Sequence, residues 1–262
     1  MSIEPDEFGL FIEALSASGT LVPLSEVLNQ PERDTTRCAI TIDDCYADLQ
    51  GYAFPVLREF QAPATVFLPT YYVANGRPFW WEILSWLEQQ PDELSRLAQL
   101  WDWPMAEAMA NTIDHWCAIF KAQPPKLRQK QLEEVRLPAG VPTAMSKDAL
   151  KDIPENIRLE SHGHTHTVLT ALTRQQVKEE IELSSYLLES WTGRRPKFFA
   201  YPNGQPSDFS EEHVGLFREA GISHALTTVE GRVPEKYEPY AVPRIGVKPG
   251  RALQQLEELL SI

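Results

Sequence analysis

Positive charge is scarce in this chain. Against 37 aspartates and glutamates stand 24 lysines and arginines, for a formal net charge of −13 and an isoelectric point near 4.9. No lysine- or arginine-rich block reverses that balance locally, so nucleic acid and anionic membrane surfaces are poor partners. Cysteine is also scarce. Cys38, Cys45 and Cys117 are odd in number and include no close pair, which argues against a disulfide framework. No apolar run approaches the roughly 18 residues of a membrane-spanning helix. The opening residues, MSIEPDEFGLF, lack the basic start and apolar stretch of a secretory signal, so the expected location is the cytoplasm. Repeats and low-complexity tracts are absent too. What remains is 43% apolar and 10% aromatic over 262 residues. That is too hydrophobic for a disordered chain and long enough for one large domain or two small ones.

Apolar runs alternate with helical patterns. CAITI (38–42) and ATVFLPT (64–70) read as buried strands. Between them DLQGYAFPVLREF (48–60) reads as a helix that Pro55 kinks or shortens. Residues 6–28 read as a helix, stopped at Gly19, and a short strand. MSKDALKDI (145–153) reads as a short helix capped by Ser146. IRLESHGHTH (157–166) is a strand running into a polar turn. Thr173 and Gln176 form a capping box before the amphipathic QQVKEEIELSSYLLESW. KFFAYP, HALTT and YAVPRIGV read as further strands, EEHVGLFREAG as a helix closed by Gly221, and ALQQLEELL as a final helix. Such alternation predicts an α/β barrel or a doubly wound sheet.

Residues of about 79–135 break the alternation. Their helical periodicity, interrupted at Pro104 and Pro124-Pro125, reads as an insertion between strands. Trp80, Trp81, Trp86, Trp101, Trp103 and Trp116 are concentrated there. They either glue the insertion to the sheet or, in one or two cases, line a substrate cleft, because flat apolar rings stack well on sugar faces.

In such folds the C-terminal edges of parallel strands carry the chemistry. Asp43 and Asp44 end one predicted strand; His162, Gly163, His164, Thr165 and His166 end another. Two carboxylates and three imidazoles at one rim make a metal-site composition. Two histidines with one carboxylate leave coordination positions open, which is the catalytic pattern. Adjacent acids point to different sides, so one ligand and one base is a natural division of Asp43 and Asp44.

These residues resemble the polysaccharide deacetylases (carbohydrate esterase family 4, the NodB-homology domain). The family's TFDDG is here TIDDC (41–45), and its H-[ST]-x-x-H is here HGHTH (162–166). DDCYADLQGYAFPVLREFQAPATVFL, LESHGHTHTVLTALT and KFFAYPNG follow in family order. The likeness covers about 35–80 and 140–250, outside the insertion. It implies a distorted (β/α)7 TIM-like barrel, an α/β fold with a helical insertion, as a single domain over 1–262. It further implies Asp43 as general base and Asp44, His162 and His166 as ligands of a divalent metal, usually zinc, with cobalt or another ion possible. The Asn203 backbone N–H would hold the oxyanion. His164 is expected beside the metal shell or against substrate, and Tyr201, Arg244, Trp80 and Trp81 as substrate contacts.

Three positions depart from the family. Cys45 stands where a glycine is usual, and is otherwise a candidate soft ligand. The third motif, Phe199 to Asn203, lacks the arginine that orients the base. The late strand AVPRIGV has no histidine acid, for which His224 is a candidate replacement or else a packing residue. The activity implied is metal-dependent hydrolysis of an N-acetyl or other N-acyl group on an amino sugar. The substrate expected is an intracellular intermediate of surface-polysaccharide synthesis. The alternatives are hydrolysis of another non-peptide C–N bond, as in a ureide or formamide, or a catalytically impaired relative that binds glycan.

Overall fold

The computed structural model describes residues 3–29, 36–102, 113–137 and 140–260. Trp103 and Pro104 of the predicted insertion lie outside them. Six strands form one parallel sheet in chain order: β1 (Ile40–Ile42), β2 (Ala64–Leu68), β3 (Ile157–Ser161), β4 (Phe198–Ala200), β5 (His224–Glu230) and β6 (Val242–Arg244). The sheet curls into a half-barrel surrounded by helices. Among the described residues no seventh strand of the expected barrel is present; one isolated parallel bridge, Leu21 with Cys38, lies just before β1.

Each strand forms where the sequence offers a short apolar run. Every residue of β2 is buried, as expected for a parallel strand covered on both faces. The β3–β4 ladder is thin, with Ser161 paired to Phe199. The buried Glu160 carboxylate reinforces it by accepting the N–H groups of Lys197 (2.6 Å) and Phe198 (2.8 Å).

Helices close the strand-to-strand crossovers. The helix Arg174–Thr192 begins at the Thr173–Gln176 capping box and ends at Gly193, whose φ of 71° suits a residue without Cβ. Several elements differ from expectation. The segment 6–28 yields a helix (Pro5–Ala17), the single bridge at Leu21, and a second short helix (Leu24–Asn29) in place of a strand. The segment 48–60 divides into a 3₁₀ turn (Ala47–Gln50) and a helix (Ala53–Glu59). Pro55 falls in that helix's first turn, where its missing N–H costs no intrahelical bond. Ser146 does cap Lys147–Asp152, which is a 3₁₀ rather than an α-helix.

The insertion supplies helices Trp80–Glu88, Pro91–Leu100, Ile113–Ala122 and Pro125–Glu133. Leu84, Leu87, Leu97, Trp116 and Phe120 from these helices share one buried cluster with Leu57, Val66 and Leu68 from the sheet region. Burying one such side chain contributes about 1.5–3 kcal/mol, so the insertion is fastened by the same core that holds the strands.

Candidate active site

The loops leaving the carboxyl ends of the strands converge on a cavity of about 310 Å³. Asp43 and Asp44 follow β1, His162 follows β3, Tyr201 to Asn203 follow β4, and Arg244 ends β6. Sharp backbone turns bring them together. Asp44 (φ 72°), Cys45 (60°), His166 (53°) and Asn203 (62°) are all left-handed, at a cost on the order of 1–3 kcal/mol each. Cys45 adopts this glycine-like conformation because its neighbours hold it. Its N–H donates to the Asp43 carbonyl (3.0 Å) and its carbonyl accepts from Met145 N–H (2.8 Å). Burial, and then the Asp44 charge, push its thiol up to about 12. Among the described residues, the side chains whose ligand atoms converge are Asp44, His162 and His166.

Asp44 Oδ1 lies 3.6 Å from His162 Nε2 and 3.3 Å from His166 Nε2. His162 Nδ1 is 2.8 Å from the Ala200 carbonyl. A carbonyl only accepts, so Nδ1 carries the proton and Nε2 turns its lone pair toward Asp44. Burial also holds the His162 pKa below its ordinary value, which favours the neutral ring. Asp44 Oδ1 itself is buried and has no hydrogen-bond partner among the described residues. A carboxylate lone pair facing an imidazole lone pair is an arrangement that a cation completes. Two imidazoles and one carboxylate, with positions left open, suit zinc or cobalt.

Asp43 is clamped from the far end of the sheet. Arg244 donates from Nη1 to Asp43 Oδ1 (2.8 Å) and from Nη2 to Oδ2 (2.7 Å). Its Nε donates to the Thr227 carbonyl (2.7 Å), and Nη1 also reaches Thr41 Oγ1 (3.4 Å). Burial alone would raise the Asp43 pKa; the Arg244 charge and its paired hydrogen bonds hold it well below the usual carboxylate range. Two expectations are corrected by this geometry. An arginine does hold Asp43, but it comes from β6 and not from the stretch before Pro202. Arg244 therefore faces Asp43 rather than standing free for substrate. The partners are 201 residues apart, beyond the reach of any local sequence pattern.

Trp81 forms a cavity wall. Its ring is 4.6 Å from His166 and stacks on Phe79 at 4.6 Å with an 8° interplanar angle. Its Nε1 donates to the Tyr46 hydroxyl (2.7 Å), which donates to Glu82 (2.6 Å). Trp80 touches the cavity but is 3% exposed and packs under the Arg128 guanidinium, 5.7 Å from its ring centroid. Tyr201 also lines the cavity, though it is 1% exposed: its hydroxyl donates to the Tyr240 carbonyl and its ring stacks on Phe209. Asn203 lines the cavity, and its backbone N–H meets no acceptor among the described residues. Thr228 holds the Asn203 carbonyl at 2.6 Å. A Cβ on the adjacent Gly204 would lie 2.8 Å from Thr228 N. Cys117 and Lys121 also line the cavity. They are four residues apart on one helix face, a spacing too common to single them out in the sequence.

Two expected site histidines lie elsewhere. His164 turns to Thr70 (Nδ1 to Oγ1, 2.8 Å) and meets the Tyr71 ring edge-on, and it does not line the cavity. His224 opens β5, in register with Phe198 at the start of β4, and contacts Ser223 and Tyr237. Thr228 lines the cavity from four residues further along the strand, roughly 13 Å at the usual rise. His224 is thus at the wrong edge to act as the acid.

The family described as Polysaccharide deacetylase has a sequence model that matches residues 30–224. YxkH of Bacillus subtilis is 22% identical over 255 residues, covering 95% of this chain and 67% of its own length. Among solved structures, the Streptococcus pyogenes deacetylase PplD in complex with acetate aligns with 98% of this chain and 87% of its own. Its TM-score is 0.68 at 15% identity. IcaB from Ammonifex degensii aligns with 99% and 90%, at a TM-score of 0.64 and 16% identity. These structural likenesses are of fold. The family match, by contrast, runs from before β1 to the first residue of β5 and takes in the loops of Asp43, Asp44, His162, His166 and Asn203, with Arg244 beyond it. By that match the chain belongs to the polysaccharide deacetylase family.

Proposed function

We propose that this chain is a divalent-metal-dependent hydrolase that removes an acetyl or other N-acyl group from an amino sugar of a glycan. One observation carries the reading. The unpartnered Asp44 Oδ1 faces two imidazoles, next in sequence to a carboxylate clamped by Arg244. Asp44, His162 and His166 would hold the ion, zinc or cobalt by their donor types. A divalent ion there supplies Lewis acidity, polarising the amide carbonyl and making water easier to deprotonate.

The chain's own groups do the rest. Asp43 accepts the proton of the attacking water. The Arg244 fork keeps it ionised and sets its placement. The Asn203 N–H donates to the oxygen that becomes negative in the tetrahedral intermediate. The leaving amine then needs a proton. With His224 at the other edge of the sheet, the group that has just taken a proton, Asp43, returns it. Trp81 presents an apolar face to a sugar ring and shields the reacting atoms from water.

The test is acetate release from N-acetylglucosamine oligomers. Chelation by dipicolinate is expected to stop turnover and added zinc or cobalt to restore it. Asp43→Asn is expected to retain the ion and lose turnover. Undiminished hydrolysis after complete metal removal, or a fully active Asp43→Asn protein, contradicts the proposal.

A further inference from the structure

The loop carrying the two histidines is not held by local preference. Gly163 (φ 80°) and His166 (φ 53°) both take left-handed backbone within five residues of chain, so something outside the loop must fix its shape. The helix Arg174–Thr192 provides one anchor. Glu180, 7% exposed, accepts at Oε2 from the N–H groups of His164 and Thr165, both at 2.8 Å, and at Oε1 from the Thr165 hydroxyl at 2.6 Å. It packs so closely that a Cβ on Gly163 would lie 3.2 Å from Oε2.

The second anchor comes from the insertion. Arg128, 2% exposed on the helix Pro125–Glu133, donates to the Thr167 hydroxyl and to the Phe120 carbonyl (3.3 Å). The hydroxyls of Thr167 and Thr165 are 2.7 Å apart. Donor chemistry fixes the direction of this chain. Arginine can only donate and an ionised carboxylate can only accept, so the protons run one way, from Arg128 to Thr167 to Thr165 to Glu180. A buried cation and a buried anion are joined through two hydroxyls with no second orientation available. None of the four residues lines the cavity, so any effect they have on it passes through the loop.

We propose that Arg128 and Glu180 are positioning residues for the metal ligands, setting the His162–His166 geometry through the Thr167–Thr165 relay. The helical insertion is then part of the metal site and not only a cover over it. The proposal rests on the reading of Asp44, His162 and His166 as ligands.

The experiment compares the full chain with Glu180→Gln, Arg128→Met and the pair Thr165→Val and Thr165→Ser. Readouts are zinc affinity by chelator competition, the visible spectrum of the cobalt-loaded protein, and thermal unfolding of the metal-free protein. Glu180→Gln, Arg128→Met and Thr165→Val are expected to bind zinc about 10- to 100-fold more weakly and to alter the cobalt spectrum. Thr165→Ser, which keeps the hydroxyl, is expected to restore both. The threonine pair decides the matter if removing either buried charge prevents folding. Lowered unfolding temperature with wild-type affinity and spectrum in Thr165→Val means that the relay is merely structural, and overturns the proposal. Failure of the unsubstituted chain to bind zinc at all overturns the ligand reading itself, and is distinguishable because it does not depend on any substitution.

Discussion

Arg244 directs Nε, Nη1 and Nη2 at Thr227, Thr41 and both oxygens of Asp43. A lysine ammonium cannot reproduce that planar fork. Arg244→Lys is expected to keep the metal and lower kcat by about 10- to 100-fold, part of the 10²–10⁴-fold that a well-placed base supplies. Metal content and acetate release measured on one preparation check this. A second residue-scale prediction concerns Gly204, whose φ is 74° and whose missing Cβ leaves room for Thr228 N at 2.8 Å. Gly204→Ala must either shift the Asn203 turn or press on β5. It is expected to cost about 1–3 kcal/mol in urea unfolding and to slow turnover, because the oxyanion donor moves with the turn. Gly204→Ala unchanged in both respects would mean that the turn is not tightly built.

At the scale of elements, the helices Pro5–Ala17 and Ala252–Leu260 share a buried apolar cluster, Phe11, Ile12 and Leu15 with Ala252 and Leu256, and an acid adds a polar tie. Glu7, on Pro5–Ala17, accepts the N–H groups of Gly250 (2.8 Å) and Ala252 (3.0 Å) at the start of Ala252–Leu260. Those backbone donors hold its pKa below the ordinary carboxylate value. The sign follows directly: a lowered folded pKa stabilises above the unfolded value and ceases to do so as pH falls through the folded one. Wild type is expected to be more stable than Glu7→Gln at pH 7, with the difference vanishing as pH falls below about 4, as followed by thermal unfolding across pH. Elements were also the most legible level of the sequence. The Thr173–Gln176 capping box, the αL glycines at 19 and 221 and the apolar runs of β1 to β4 act through neighbours in the chain, so local pattern reveals them. The site was legible only in part. TIDDC and HGHTH place Asp43, Asp44, His162 and His166, whereas the Arg244 clamp depends on bringing the two ends of a curled sheet together. His224 does carry a local signal: it opens its strand, while the site residues follow theirs.

On the scale of the whole molecule, the half-barrel has a seam. Strands β1 and β6 lie at opposite ends of the sheet order, and among the described residues side chains rather than backbone pairing link them, through Arg244 to Thr41 and Asp43. Hydrogen exchange is therefore expected to be slowest in β2 and β3, which have 5 paired registers between them, and faster in β6; equal protection across the sheet would contradict an open seam. One cavity at the strand ends collects residues from the loops after β1, β3 and β4 and from the insertion helices, and the proposed activity requires that cavity to hold an ion. The most direct measurement is anomalous diffraction from crystals of the cobalt- or zinc-loaded protein. The predicted result is one strong peak within coordination distance of Asp44 Oδ1, His162 Nε2 and His166 Nε2, absent in Asp44→Ala. A peak elsewhere, or none at saturating metal, would contradict it.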